Sequence, residues 1–197
     1  AFCTNLTTVT FEENSQLQII DNSAFEDNRT LSSITIPNSV ITIGVSAFFF
    51  NGLTSITIPN SVITIGDSAF GYCSNLTTVI FGENLKGIGA NAFMGDTSLT
   101  TLTFKSDILH TEQNINILVG GVTYTYASGL NANIFKDTSL TTVYIDGNLS
   151  LNLQISSYNY QLLWYTYNNN TTVNSFFSYE GSINIISINL PPEPEPE

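Results

Sequence analysis

The sequence predicts a mainly β protein, built as a right-handed solenoid of short parallel strands. The first observation is that Ser33–Phe48 recurs at Ser55–Phe70, with Val45 replaced by Asp67 as the single difference. The second is that a frame Leu-Thr-x-Val-x-Phe/Ile returns along the chain with a period of 22 to 25 residues. The third is that β-branched residues fill this frame and alternate inward and outward with a period of two, as in a strand with one dry face. Such a unit is too small to bury its own apolar side, so neighbouring units must stack.

Each repeat combines three recurring features. The first frame occurs at Leu6–Phe11, Leu31–Ile36, Leu53–Ile58, Leu76–Phe81, Leu99–Phe104 and Leu140–Ile145. An apolar-x-x-Ile frame follows at Leu17/Ile20, Val40/Ile43, Val62/Ile65 and Leu85/Ile88, and an Ala-Phe pair ends at Phe25, Phe48, Phe70 and Phe93. We predict about five coils, each contributing one strand from the first frame. The leucines that start successive frames should be buried and stacked: Leu31, Leu53, Leu76 and Leu99.

The chain divides into a solenoid (1–146), a C-terminal β region (147–190) and a Pro/Glu tail or linker (191–197). Within the solenoid, an insertion over about 105–130 contains Gly120-Gly121 between two alternating runs, which predicts a projecting β-hairpin. The alternation in "LSLNLQI" and "SINIISINL" predicts antiparallel strands in the second region. They would form either a cap on the last coil or an assembly element. The segment "PPEPEPE" is charged and extended.

The stretches "AFGYCSNLTTVIF" (Ala69–Phe81) and "SITIPNSVITIGDSAF" resemble the BspA-like leucine-rich repeat family. The resemblance covers roughly residues 1–104 and 131–146. It implies a leucine-rich-repeat solenoid in a secreted or cell-surface protein that binds other macromolecules, and it brings no catalytic motif. The first unit starts in mid-repeat, and a start without Met predicts either a processed product or a fragment.

Charge and hydropathy exclude two classes of partner. Four Lys and Arg against sixteen Asp and Glu give a net charge of −12. Such a chain repels nucleic acid, whose binding needs clustered cations. Without an apolar run of about 18 residues, we expect no membrane insertion.

The sequence offers no catalytic or metal-binding set, so we predict a non-enzyme without a cofactor. The sole histidine, His110, lies in the insertion without a neighbouring nucleophile. Cys3 and Cys73 occupy one slot of the repeat, three units apart, and should be buried and unpaired. Asn28, Asp96 and Asp137 are expected in the same slot. Asn148 and Asn170 are the candidate glycosylation sites, if the source is a secretory eukaryote.

The outward positions of the strands form two rows of hydroxyl side chains, which suit recognition on a rigid scaffold. With the hairpin, they predict contacts to a protein or glycan partner at Thr8, Thr10, Thr35, Thr57, Thr101, Thr103, Tyr124 and Tyr126. An ice-binding threonine array is a low-prior alternative, because Ser33, Ser55, Ile80 and Tyr144 interrupt the rows. We expect the protein to act outside the cell or at its surface.

A rival hypothesis is a structural subunit that assembles head to tail with copies of itself, building an extracellular filament or surface layer. An uncovered first coil would leave strand edges open to pairing. The donor would be the strand that carries Ile183, Ile185, Ile186 and Ile188.

Overall fold

The repeat region forms two parallel sheets whose strands stack in chain order. The computed structural model describes residues 5–105, 115–126, 129–130, 134–146, 152–156, 162–166, 176–178 and 181–188. The second frame makes a five-stranded sheet, so the solenoid completes about four turns. Its strands, in sheet order, are β1 (Ile19–Ile20), β2 (Thr42–Ile43), β4 (Thr64–Ile65), β6 (Gly87–Ile88) and β10 (Gly129–Leu130).

The first frame makes the other parallel sheet. In this sheet β3 (Ser55–Thr57), β5 (Thr78–Phe81), β7 (Thr101–Phe104) and β11 (Thr142–Asp146) pair in register. The predicted parallel solenoid is confirmed, but the expectation of one strand per coil needs correction. Coils have a second strand in the other sheet, and the frames at Leu6–Phe11 and Leu31–Ile36 carry no strand. Residues 33–36 instead line one side of a surface groove.

The third side of each coil is a run of turns containing the Ala-Phe pair. Each Phe donates its N–H to a carbonyl one coil further on: Phe25 to Ala47, Phe48 to Ala69, Phe70 to Ala92 and Phe93 to Ile134, at 2.7 to 3.0 Å. Inter-coil hydrogen bonds therefore continue where no strand exists. The coils approach closely at the corner before these turns, where a Cβ on Gly66 would lie 2.7 Å from the backbone of Gly44.

The core is a set of identical side chains stacked along the solenoid. Leu31, Leu53, Leu76 and Leu99 are all fully buried, as predicted. The phenylalanine rings stack with centroids 5.2, 5.0, 5.2 and 5.7 Å apart, in the order Phe25, Phe48, Phe70, Phe93 and Phe135. The repeat pattern did not reveal Phe135, because Ile134 stands where other coils have Ala.

The first coil is less buried than the coils that follow. Leu17 is 36% exposed and Ala24 is exposed, whereas their counterparts Leu85 and Ala47 are fully buried. Phe25 is half-buried and has one stacked neighbour. Burial of a repeat residue thus depends on a coil on each side.

The insertion forms the predicted hairpin. Strand β8 (Ile115–Val119) pairs antiparallel with β9 (Val122–Tyr126). The connecting Gly120 and Gly121 both have positive φ, 57° and 84°, which a type I′ turn requires. The solenoid resumes at β10, which pairs with β6, so residues 129–130 belong to the coil and not to the insertion.

The C-terminal region contributes two antiparallel pairs within the described residues. Strand β12 (Asn152–Ser156) pairs with β13 (Leu162–Thr166), and β14 (Phe176–Ser178) pairs with β15 (Gly181–Ile188). Strand β15 also runs parallel to β11, with Val143 opposite Ile185. The predicted donor strand therefore lies beside the last coil of its own chain. The tail, 191–197, is outside the described residues.

Candidate functional site

The outward positions of the first-frame sheet form one continuous face. Ser55, Thr78, Thr101 and Thr142 are register partners in one row, and Thr57, Ile80, Thr103 and Tyr144 are partners in the other. Of the predicted contact residues, Thr8, Thr10, Thr35 and Thr57 are exposed, whereas Thr101 and Thr103 are half-buried. The exposed residues therefore lie in the first three coils, of which the third contributes the edge strand β3 to this sheet.

A groove of about 700 Å³ lies on this face. One wall comes from outward strand positions, and the other comes from the Pro-Asn-Ser turns that follow the strands. Half of its lining residues carry a hydroxyl or an amide, and the other half are mainly apolar: Ser33, Thr35, Asn38, Ser55, Thr57, Asn60, Ser61 and Asn84, with Ile34, Ile36, Ile58, Pro59, Ile80, Phe81, Gly82 and Lys105. Such a surface offers many hydrogen bonds and little charge.

A second depression of about 470 Å³ extends the groove toward the first coil. It shares Thr35, Ile36 and Asn38 with the larger groove and adds Thr10, Glu12 and Glu13. The combined trough is acidic at the first coil and neutral in its middle, and it reaches Lys105 at the fifth coil. The two ends of the trough therefore differ in charge.

A further row of threonines stabilises the wall instead of lining the groove. The Thr77 hydroxyl donates to the Thr54 carbonyl at 2.9 Å, and Thr54, Thr100 and Thr141 donate in the same way to the preceding coil at 3.3 to 3.4 Å. These residues directly follow the repeat leucine. The sequence did not distinguish them from the outward threonines, because both rows are the same residue type within one Leu-Thr-Thr triplet.

The hairpin presents two different faces. Ile117 is buried, and Tyr124 is its register partner on β9. On the opposite face, Leu118 is 70% exposed, and the Thr125 hydroxyl donates to Asn116 at 2.9 Å. The predicted contacts of Tyr124 and Tyr126 stay a prediction. The structure adds Leu118, which the sequence did not single out.

The repeat slot of Cys73 is a buried polar column. Asn51 Nδ2 donates to the Phe25 carbonyl at 2.9 Å, and the Cys73 thiol donates to the Phe48 carbonyl at 3.1 Å. Cys73 is buried and unpaired, as predicted, whereas Cys3 lies outside the described residues. The assignment of Asp137 to this slot was wrong. Its turn is one residue shorter, so Asp137 is exposed at the preceding, positive-φ position.

Asp96 is the acidic member of this column. It is fully buried, and its Oδ1 accepts the Cys73 backbone N–H at 2.7 Å, while Oδ2 has no hydrogen-bond partner within the described part of the chain. Burial raises the pKa of Asp96 to about 9, so the carboxyl is protonated at neutral pH. Burial, and then the nearby Asp96, raise the pKa of the Cys73 thiol well above its usual value. These groups serve the core and are not accessible for chemistry.

The described residues contain no cluster of three or more His, Cys, Asp or Glu side chains able to hold a metal ion. Nor does any helix long and apolar enough to cross a membrane occur in the part of the chain that the structure covers. His110, Asn148 and Asn170 lie outside the described residues.

Comparison with known proteins agrees with the repeat architecture. The BspA-type leucine-rich repeat region matches residues 1–116 in six copies. A leucine-rich repeat protein from Bacteroides ovatus is similar at 19% identity over 66% of this chain and 46% of the solved chain, with a TM-score of 0.31. A leucine-rich cell surface protein from Faecalibacterium prausnitzii is similar at 16% identity over 68% of this chain and 52% of the solved one, also with a TM-score of 0.31.

This chain thus spans about half the length of those two solved chains. Comparison with curated proteins gave no match. Leucine-rich repeat proteins are generally protein-interaction or surface modules and are typically not enzymes. The six matched copies cover more than half of the sequence, so the chain belongs to the BspA-type leucine-rich repeat family.

Proposed function

We propose that this chain is a secreted or cell-surface recognition module, not an enzyme, and that it binds a protein or glycan partner in the trough on its strand face. The observation that carries the proposal is the exposed groove of about 700 Å³, in which Ser, Thr and Asn side chains alternate with apolar ones. Ser55 and Thr57 lie on β3, which pairs with β5, and Ser33 and Thr35 lie on the preceding coil, so a ligand would meet hydroxyl groups held by stacked coils. Preorganised donors and acceptors lose little entropy on binding.

The difference between the hydrogen-bonded and the exposed threonines supports this role. The hydroxyls of the Thr77 row give a second hydrogen bond to wall carbonyls that already accept a backbone N–H, whereas Thr57 is exposed on the groove side. The Thr57 hydroxyl is therefore open to a ligand. Family membership points the same way, because such repeats are generally interaction or surface modules.

Substitutions that add a positive charge to the groove wall test this proposal. Thr57→Arg and Thr35→Arg place a long cationic side chain in the trough, while Gln18→Arg makes the same charge change at an exposed position outside it. All three variants should keep the wild-type melting temperature. Capture of extracellular proteins or matrix glycans from the source environment should persist with Gln18→Arg and fail with the groove variants.

Binding of every captured partner at wild-type strength by both groove variants would contradict the proposal. Deleting 112–128 separately tests the hairpin. If the trough alone binds, affinity is unchanged, whereas a contact by the hairpin predicts a loss. Enzymatic removal of glycans from the captured partner distinguishes a glycan from a protein ligand.

Self-association is a second candidate, favoured by the partly exposed apolar residues of the first coil. The first coil has the same apolar residue types as the interior coils, but they are less buried: Leu17, Ala24 and Phe25. The β15 strand with Ile183, Ile185, Ile186 and Ile188 lies on its own β11, so donation to a copy would require exchange of this strand. Light scattering of the 197-residue chain, with and without 182–197, tests it. Concentration-independent monomers in both cases would remove this candidate.

A further inference from the structure

A group of aromatic side chains lies on the turn side of the second and third coils, away from the groove. We call the set Arg29, Phe49, Phe50 and Tyr72 the aromatic corner. Phe50 and Tyr72 are 37% and 38% exposed, and their rings stack at 5.1 Å. Phe49 contacts both rings edge to face, at 4.6 and 5.6 Å. Arg29 lies over the outer face of Phe50, with Cζ 5.1 Å from the ring centroid.

The backbone at this corner is costly for aromatic residues, although the next coil leaves room for one of them, since a Cβ on Gly95 would lie 2.6 Å from the Tyr72 ring. Phe50 and Tyr72 have positive φ, 54° and 58°. The equivalent position is Asp27, Gly95 and Asp137 in the other coils, and these residue types adopt this conformation at lower cost. Bulky residues held in a strained conformation, with their ring edges left in solvent, are expected where a surface binds something.

The composition of the corner indicates which ligand it fits. Tyr, Phe and Arg are the residues enriched at binding hot spots. Closely packed aromatic rings are the surface on which extended proline-rich segments dock. Arg29 adds a cation whose side chain is 69% exposed, and Asp27 contacts one of its five N–H groups, at Nε. The corner therefore favours a segment that combines proline with carboxylates.

The chain carries such a segment, "PPEPEPE" at Pro191–Glu197. Its four prolines alternate with three glutamates, and it follows β15, which lies at the opposite end of the strand-face sheet from the coils of the corner. We propose that the aromatic corner binds the Pro191–Glu197 segment of a second copy of this chain, with proline rings against Phe50 and Tyr72 and a glutamate paired with Arg29. This contact is independent of the trough.

The test uses an immobilised peptide with the sequence of Leu190–Glu197 and the full-length chain in solution. Wild-type chain should be retained. The double variant Phe50→Asn/Tyr72→Asn should bind at least about tenfold more weakly, because it removes the rings while placing a residue that tolerates positive φ. Arg29→Gln should weaken retention to a smaller extent. A control peptide with serine in place of every proline keeps the charge and should not retain the chain.

A second measurement establishes whether the occupant is another copy. Sedimentation of the wild-type chain should show association that rises with concentration and disappears when the four tail prolines are replaced by serine. Equal retention of wild type and the double variant would overturn the proposal, as would equal retention on the two peptides or a monomer at every concentration. The Thr57→Arg variant should bind the peptide normally, so failure of the trough and failure of the corner are distinguishable.

Discussion

The first coil and the interior coils share a repeat pattern but not the same burial. Leu17 and Ala24 stay exposed, whereas Leu85 and Ala47 are fully buried. Within the described residues, the first coil has one neighbouring coil and the interior coils have two, while the local sequence pattern is the same. Stability in this molecule therefore arises between coils more than within them, as expected for a one-dimensional stack.

The largest expected effect comes from breaking the phenylalanine stack in its middle. Phe70 is fully buried between Phe48 and Phe93, so Phe70→Ala should lower the free energy of unfolding by about 3–5 kcal/mol. Phe25→Ala removes a half-buried ring with one partner and should cost about half as much or less. Urea denaturation of the two variants measures both values. Equal losses of unfolding free energy in the two variants would contradict the difference in burial between the first coil and the interior coils.

Asp96 tests whether an interior slot of the stack can hold a charge. Its pKa is raised from 3.8 to about 9, so the folded state binds a proton that the unfolded state releases. This contribution to stability is complete below about pH 4 and is lost as the pH rises toward 9. Asp96→Asn should remove that slope and stabilise the protein at pH 7 by roughly 2–4 kcal/mol.

The Asp96→Asn variant has a precedent within the chain, because buried asparagines, Asn28 and Asn51, occupy the same slot in other coils. Denaturation at pH 4.5, 7 and 8.5 checks it. If Asp96→Asn and the wild type had parallel pH profiles, the buried carboxyl would not be the protonated group.

Two threonines of the same wall differ in the role of the hydroxyl group: that of Thr77 donates a hydrogen bond within the fold, whereas that of Thr57 is exposed. Thr77→Val removes the hydroxyl donor to the Thr54 carbonyl, which keeps the backbone N–H of Thr77, and should cost about 1 kcal/mol, whereas Thr57→Val should leave stability within about 0.5 kcal/mol. Thermal unfolding compares them. A larger loss for Thr57→Val would assign that row to the fold and would weaken the case for the trough.

The smallest expected effect concerns the single difference between the two sixteen-residue copies. Asn22 Oδ1 accepts the Val45 backbone N–H, and Asp67 Oδ1 accepts that of Ala90, both at 2.8 Å. Val45 stands at the equivalent position between them without an acceptor. Val45→Asn should gain about 0.5 kcal/mol in chemical denaturation, and Val45→Ala is the matched control. A loss relative to alanine would contradict this interpretation of the position.

The sequence predicted what repeats and missed what depends on contacts between repeats. The leucine frame, the Gly120-Gly121 hairpin and the buried Cys73 follow from spacing and residue type, and the structure confirms them. Asp137 was misplaced because the turn after Phe135 is one residue short, which shifts a count made from the repeat leucine. No local pattern marks such a deletion.

The candidate sites show the same limit. Outward threonines could be recognised from the alternation of the strands, but the groove depends on where residues 33–36 lie relative to the next coil. The aromatic corner combines Arg29, Phe50 and Tyr72 from three repeats. Phe50 and Tyr72 also have positive φ, which their residue types do not predict.

Native-state hydrogen exchange at two equivalent amides tests the central claim most directly. The N–H groups of Phe25 and Phe70 both donate to an alanine carbonyl one coil further on, at 2.8 Å, so their hydrogen bonds have the same length and kind of acceptor. If stability arises between coils, the Phe70 amide should exchange only on global unfolding, and the Phe25 amide should exchange at least about tenfold faster through local opening. Equal protection of the two amides would contradict the account.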